Sequence, residues 1–252
     1  MGTDDLSMRL MRATFKLEQR QDDGLATVGT GWLVSLRDAP GRIAMVTAGH
    51  VFDRMKRPEA VVHWRTQDAG GKWTREPQPV VIRDPFNGPL WLRHPERDIA
   101  VMLVNAPPQP RSHAIGFDEL SDDQDLEALG VRPGDEMLAL GYPRGLSANE
   151  IGFPILRAGR VASYPLWPSR EFPTFLMDFA VFAGNSGGPV YMSARGRADP
   201  QGPIEMVTGM LAQQVVLTDE RLEIGIVLHA AFVREALEEL ARRHPVAEIK
   251  VA

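Results

Sequence analysis

Three short segments of this 252-residue chain hold residue types that nucleophilic catalysis requires. "AGNSGGP" displays Ser186 among Gly184, Gly187, Gly188 and Pro189, "TAGHV" brings an apolar run to His50, and "ERDIAVMLV" sets Asp98 at the start of another such run. A serine hydroxyl is a weak nucleophile at neutral pH. It needs a neighbouring base to take its proton, and the base needs an acid to hold its tautomer. Glycines on both sides of a serine permit positive φ and a close approach to the main chain, which a packed core does not require. Each residue also has a plain structural reading: Ser186 as a turn residue, His50 as a satisfied core histidine, Asp98 as an acid at a strand end. Taken together, in the order His50, Asp98, Ser186, they are a candidate catalytic set.

A second chemistry fits one motif. "GNSGG" also satisfies G-x-S-x-G, the nucleophile elbow of α/β-hydrolase esterases, with Asp219 and then His229 or His244 following in that order. The elbow requires a helix directly after the serine. Here Gly187, Gly188 and Pro189 lead into "VYM", a strand-like run. The remaining histidines, His63, His94, His113, His229 and His244, show no metal-ligand spacing, and neither a metal nor another cofactor is expected.

The elements that must position these residues are mostly strands. Up to Val104 the chain reads as short apolar runs rich in Val, Ile, Thr and aromatics, separated by turn residues: "ATFKLEQ", "GTGWLVSL", "RIAMVTA", "AVVHWRT", "PVVIRD" and "DIAVMLV". A proline-rich and then acidic passage follows, with the composition of a connection between two units, and "DELSDDQDLEAL" within it reads as a short solvated helix. Strand-like runs resume with "EMLALGYP". At the end, "AAFVREALEELARRH" puts Phe232, Val233, Ala236, Leu237 and Leu240 at helical spacing until Pro245 stops it. The expected organisation is all-β. A first β unit over 11–115 carries His50 and Asp98, an acidic connection spans 116–135, a second β unit over 136–230 carries Ser186, and a helix covers 231–244.

Composition narrows the function classes. A formal charge of −5 lacks the basic surface that general nucleic-acid binding uses. The chain has no cysteine, so it can hold neither a disulfide nor a thiolate metal site. The N-terminal "MGTDDLSMRL" has acids where a signal peptide has bases, and "IAVMLV" is far too short to span a bilayer. A soluble, cytoplasmic protein is expected, with no membrane partner.

"TAGHV", "RDIAVMLV" and "GNSGGPV" resemble the three signature segments of the chymotrypsin-like (trypsin-fold) serine peptidases, in the same chain order. Flanking segments agree. "GTGWLVS" resembles the glycine-rich strand before the histidine, and "LGYPRGL" resembles the opening of the second barrel in bacterial HtrA-type peptidases. "LMDFAVFAGNS" is similar to their approach to the nucleophile, and "GIVLHAAFVREAL" resembles the last strand and C-terminal helix. The match runs from about residue 11 to 243. The resemblance implies two consecutive six-stranded Greek-key β-barrels with the site in the cleft between them. It also implies a serine endopeptidase with a His50/Asp98/Ser186 triad, an oxyanion hole from the N–H groups of Gly184 and Ser186, and a protein or peptide substrate.

Departures from that pattern shape further expectations. Asn185 stands where many relatives have an aspartate that pairs with a new N-terminal ammonium, so no activation by N-terminal cleavage is expected. Ala212 stands where a serine hydroxyl often supports the aspartate, leaving that hydrogen bond missing or supplied from elsewhere. Ala180 occupies the position at which enzymes of basic specificity carry an acid, and Gly225 matches a pocket-wall glycine. An unpaired Lys or Arg would be costly to bury there, so cleavage after an uncharged, apolar residue is expected. Gln213 and Gln214 are candidate polar contacts on a strand, "MLAQQ", that could pair with the substrate backbone. HtrA-type enzymes usually carry a PDZ domain after the terminal helix, and this sequence stops at Ala252, so control by such a domain in the same chain is not expected. The competing function is a gated or inactive peptide-binding protein of the same fold, activated by a regulatory protein partner. The orientation of the "AGNSGG" main chain discriminates the two.

Overall fold

The computed structural model describes residues 5–22, 24–37, 39, 41–194, 204–217 and 220–245. The first unit is a sheet of eight strands: β1 (Thr14–Arg20), β2 (Ala26–Ser35), β3 (Ile43–Thr47), β4 (Glu59–Gln67), β5 (Trp73–Val81), β6 (Leu92–Arg93), β7 (Ala100–Val104) and β8 (Ile115–Gly116). They run in the order β5-β4-β1-β2-β3-β7-β6, with β8 parallel to β2 at one side. The second unit comprises β9 (Glu136–Gly141), β10 (Ile155–Val161), β11 (Thr174–Asp178), β12 (Pro189–Ala194), β13 (Ile204–Leu217) and β14 (Glu220–His229). These close into a six-stranded antiparallel barrel, β10-β11-β14-β13-β12-β9. Five α-helices accompany them among the described residues: α1 (Leu6–Ala13), α2 (Gly49–Arg54), α3 (Pro108–Ser112), α4 (Asp123–Ala128) and α5 (Ala230–Arg243).

The mostly-β architecture with a C-terminal helix matches the sequence expectation, and so does the six-stranded closure of the second unit. The first unit differs from a closed six-stranded barrel: its end strands β5 and β6 are not paired with each other among the described residues. The stretch that would have to close the gap carries Pro85 and Pro89, which lack an N–H to give to a ladder, and β6 itself is only two residues long. The acidic passage is ordered rather than merely solvated. Asp122 caps α4 by accepting from the Gln124 and Asp125 N–H groups, while the Ser121 N–H donates to Val207 O at 2.9 Å and so ties the connection to β13.

The second barrel has an apolar core of its own around Met137, Phe175, Met177, Val190 and Leu211, and a larger apolar cluster spans both units. Leu140, Tyr191, Val207, Met210, Ala212 and Leu228 of the second barrel pack in the same buried cluster as Phe15, Trp32, Met45, Val46 and Val101 of the first sheet. The helix α5 leaves the end of β14 and returns to this cluster, burying the Phe232, Val233, Ala236, Leu237 and Leu240 stripe that its periodicity marks. Burial of each large side chain contributes roughly 1.5–3 kcal/mol. The buried Arg65 on β4 joins the units by polar means. Its guanidinium donates to Tyr142 Oη and Gly152 O at 2.9 Å on one side, and to the carbonyls of Met11, Arg12 and Thr14 on the other. No helix among the described residues is long and apolar enough to cross a membrane.

His229, at the junction of β14 and α5, is 1% exposed, and burial holds its imidazole down to about 4, against a weaker opposing pull from the charge of Asp123. Above pH 6.5 neither the folded nor the unfolded chain carries a proton there, so the group costs nothing. As pH falls from 6.5 towards 4, the unfolded chain takes up a proton that the folded one refuses, and stability declines. Between pH 7 and pH 5 this loss amounts to about 2 kcal/mol. Urea unfolding at the two pH values should therefore show a larger drop for the native chain than for His229→Leu; equal drops would place the pH sensitivity elsewhere.

Candidate active site

The strand β3 delivers the chain in extended conformation to Ala48, and His50 follows in the first turn of α2 rather than at a strand end. Two main-chain groups lock that turn onto Asp98: the Gly49 N–H donates to Asp98 O at 3.2 Å, and the His50 N–H donates to Asp98 Oδ1 at 2.8 Å. His50 Nδ1 then lies 2.5 Å from Asp98 Oδ2. A side chain at position 49 would meet Asp98 Oδ1 at 2.9 Å and the Arg93 guanidinium carbon at 3.0 Å, so glycine there is a condition of the approach. With Nδ1 engaged by the carboxylate, Nε2 is the nitrogen left to accept a proton from elsewhere.

Asp98, two residues before β7, is held between the His50 ring and the Arg93 guanidinium. Arg93 Nη2 lies 3.3 Å from Oδ1, and the same guanidinium pairs with Asp53. Burial pushes the Asp98 carboxyl up. The hydrogen bond to the His50 ring, the charge of a protonated His50, the His50 main-chain N–H and the Arg93 charge together outweigh it and bring the carboxyl below its ordinary value. Ala212 contributes no hydroxyl to this acid; it is buried in the shared core. The contact that sequence left missing or supplied from elsewhere comes from Arg93, a residue whose role no local motif announces.

Ser186 lies on the connection between β11 and β12, whose strand follows at Pro189. No helix follows the serine, so the nucleophile-elbow arrangement is absent. Of its partners, Asp219 lies outside the described residues, and His229 and His244 flank the two ends of α5. The loop is seated on the strand-to-helix turn that carries His50. A Cβ at Gly187 would meet Thr30 O at 2.3 Å, Thr47 Oγ1 at 2.4 Å and Ala48 N at 2.8 Å. The Ala183 carbonyl accepts from the Arg144 N–H at 2.6 Å, the Gly184 carbonyl from Thr30 Oγ1 at 2.7 Å, and the Ser186 carbonyl from the Thr30 N–H at 3.0 Å. Because a trans peptide sets C=O and N–H on opposite sides, an Ala183 carbonyl turned to Arg144 turns the Gly184 N–H away from it. The N–H groups of Gly184 and Ser186 have no hydrogen-bond partner among the described residues. Arg144 holds its position at φ 52°, an uncommon conformation for a non-glycine residue.

A family model described as a trypsin-like peptidase domain matches residues 29–198. The chain belongs to that family. The matched span takes in His50, Asp98 and Ser186 together. No curated protein matches the sequence. Among solved structures, this trypsin-like peptidase is similar to the HtrA-type protease AlgW with tripeptide, at 17% identity and a TM-score of 0.56 over 96% of this chain; it spans 65% of the AlgW chain. The active form of the Rv3671c protease from M. tuberculosis gives 20% identity and a TM-score of 0.52, covering 96% of this chain and 86% of that one. The thermostable serine protease AL20 from an extremophilic microorganism gives 13% identity and a TM-score of 0.52, covering 93% and 99%. At these identities the likeness establishes the fold.

Beyond the serine, the peptidase places Ala180 half-buried and Gly225 buried on β14, opposite Met177 of β11. A Cβ at Gly225 would meet Val181 Cγ2 at 2.8 Å and the Phe179 ring at 3.5 Å, so apolar groups line this position. Gln213 and Gln214 pair through β13 with Ile226 and Gly225, and their side chains lie outside the described residues. Gly184 is constrained twice over: its φ is +97°, and a Cβ would stand 2.2 Å from Tyr142 O. The variant Gly184→Ala should lose roughly 1–3 kcal/mol of unfolding free energy in urea. A variant as stable as the native protein would mean that the loop does not occupy this position.

Proposed function

We propose that the chain is a serine endopeptidase that forms an acyl-enzyme on Ser186, with His50 as base and Asp98 as the acid that orients it. The observation that carries this reading is the main chain of 183–186. Its carbonyls are occupied by Arg144, Thr30 and the Gly188 N–H, while the Gly184 and Ser186 N–H groups remain open among the described residues beside a serine whose loop is packed against the His50 turn. Ser186 Oγ adds to the scissile carbonyl while His50 Nε2 takes its proton. The Gly184 and Ser186 N–H groups stabilise the oxyanion, at roughly 3 kcal/mol per donor. His50 returns the proton to the leaving amine, then activates a water that releases the acyl group and regenerates Ser186. Asp98 fixes the His50 tautomer throughout. The apolar surroundings of Gly225 and the neutral Ala180 support cleavage after uncharged, apolar residues.

A gated relative of the same fold is the second reading. It is favoured by one observation: Ser186 Oγ makes no hydrogen bond among the described residues. Catalytic hydrogen bonds of unliganded enzymes often tighten only with substrate. Labelling with a fluorophosphonate separates the two. The endopeptidase reading expects an adduct on Ser186 in the purified protein, lost in Ser186→Ala and strongly reduced in His50→Ala; labelling only after a partner protein is added would favour the gated reading.

Two kinetic outcomes follow from the assigned roles. Asp98→Asn should lower kcat roughly 10³- to 10⁴-fold in a peptide hydrolysis assay. In a peptide library, faster cleavage after Lys or Arg than after Val, Leu or Phe would refute the proposed preference.

A further inference from the structure

Thr30 lies on β2 in the first unit, inside "GTGW", yet every polar group it has reaches towards the serine loop and its supports in the second unit or towards the strand that leads to the base. Its side-chain hydroxyl donates to Gly184 O at 2.7 Å and accepts from the Tyr142 N–H at 3.2 Å. A threonine hydroxyl has one proton to give, so this geometry fixes its direction. Its N–H donates to Ser186 O at 3.0 Å, and its carbonyl accepts from Thr47 Oγ1 at 2.8 Å. The residue is fully buried, so water cannot take over any of these bonds.

We propose that Thr30 is a positioning residue for the oxyanion hole, its hydroxyl fixing the Gly184 carbonyl so that the N–H groups of Gly184 and Ser186 stay directed at one point. The inference deepens the endopeptidase reading and rests on it. The Gly184–Asn185 peptide lies between the two peptides that carry the proposed oxyanion donors, so an anchor on its carbonyl limits rotation on both sides. Thr30 also sets the register between nucleophile and base. Thr47, bonded to the Thr30 carbonyl, ends β3, three residues before His50. The Tyr142 N–H at the opposite side of the hydroxyl opens the turn in which Arg144 holds the Ala183 carbonyl. One hydroxyl thus anchors the peptide after Gly184 and, through the Tyr142 N–H, meets the turn that anchors the peptide before it. Valine has the same shape and cannot form these bonds; serine lacks only the methyl group.

The test compares Thr30→Val and Thr30→Ser with the native protein in hydrolysis of an uncharged peptide substrate. Rates are normalised to sites titrated by fluorophosphonate and measured well below both unfolding midpoints. Thr30→Val should lose roughly 10- to 100-fold in kcat with KM changed less than about threefold, and should bind a peptide boronate more weakly by a similar factor. Thr30→Ser should recover to within about threefold of the native kcat. Native-like kcat and boronate affinity in Thr30→Val would overturn the inference, and so would a Thr30→Ser variant as impaired as Thr30→Val, which would assign the effect to packing of the methyl group. If the native protein neither hydrolyses peptides nor takes up fluorophosphonate, the endopeptidase reading has failed. Crystal structures of the native protein and Thr30→Val then decide for Thr30 alone. A Gly184 main chain displaced in the variant supports its positioning role, and an unchanged one overturns it.

Discussion

The main chain of residues 179–188 belongs to no strand, and the satisfaction of its polar groups by two separate sheets is the constraint from which the site follows. A buried peptide group without a partner costs about as much as a lost hydrogen bond, so nearly all are paired. Here Arg144 and Thr30 take the carbonyls of 183, 184 and 186, and Leu211 of β13 pairs with Gly187 N–H and Gly188 O at 2.8 Å each. Such threading leaves no space for side chains. At Gly184, Gly187 and Gly188 a Cβ would stand 2.2, 2.3 and 2.0 Å from the carbonyl oxygens of Tyr142, Thr30 and Leu140. The glycines around the serine are thus required by the approach of β2 and of the end of β9 as well as by the need to expose donors.

The electrostatics of the base follow from a similar economy. Asp98 receives the His50 main chain and Arg93 on one oxygen and the imidazole on the other. An acid in this setting stays ionised while partly buried, which is the condition for holding one tautomer of its histidine. Arg93 is itself paired with Asp53, so the cation that supports the acid is divided between two carboxylates. Ala212 is buried and brings no hydroxyl, and the charged support of the acid comes from Arg93, whose side chain is about half exposed.

Legibility varied with the range of the interaction responsible. The α5 stripe was plain because its five apolar residues recur with the helical period and all face one core. The runs "RIAMVTA" and "DIAVMLV" read as strands because buried neighbouring strands need little alternation, and β3 is buried along its whole length. By contrast, "GHVFDR" holds Val and Phe, which suit strands, yet it forms a helix because Asp98 binds the main chain at both Gly49 and His50. The helix α1 was not anticipated either. Its short "LSMRLMRA" is fixed by Asp5 accepting from Met8 N–H, by Leu6 N–H donating to Glu205, and by Arg9 bridging to Glu119, contacts up to 199 residues away in sequence.

By itself the sequence determined the residue types of the site, their order, the β-rich class and the terminal helix, because these depend on local periodicity and on motifs a few residues long. Only the tertiary structure decided that the first sheet stays open among the described residues while the second closes, that Arg93 reaches Asp98, and that Thr30 and Arg144 hold the carbonyls of the serine loop. Each of these depends on groups brought together from distant parts of the chain. A threonine in a strand and an arginine in a turn carry no local mark of which carbonyl they will meet, and that pairing exists only once the two units pack against each other.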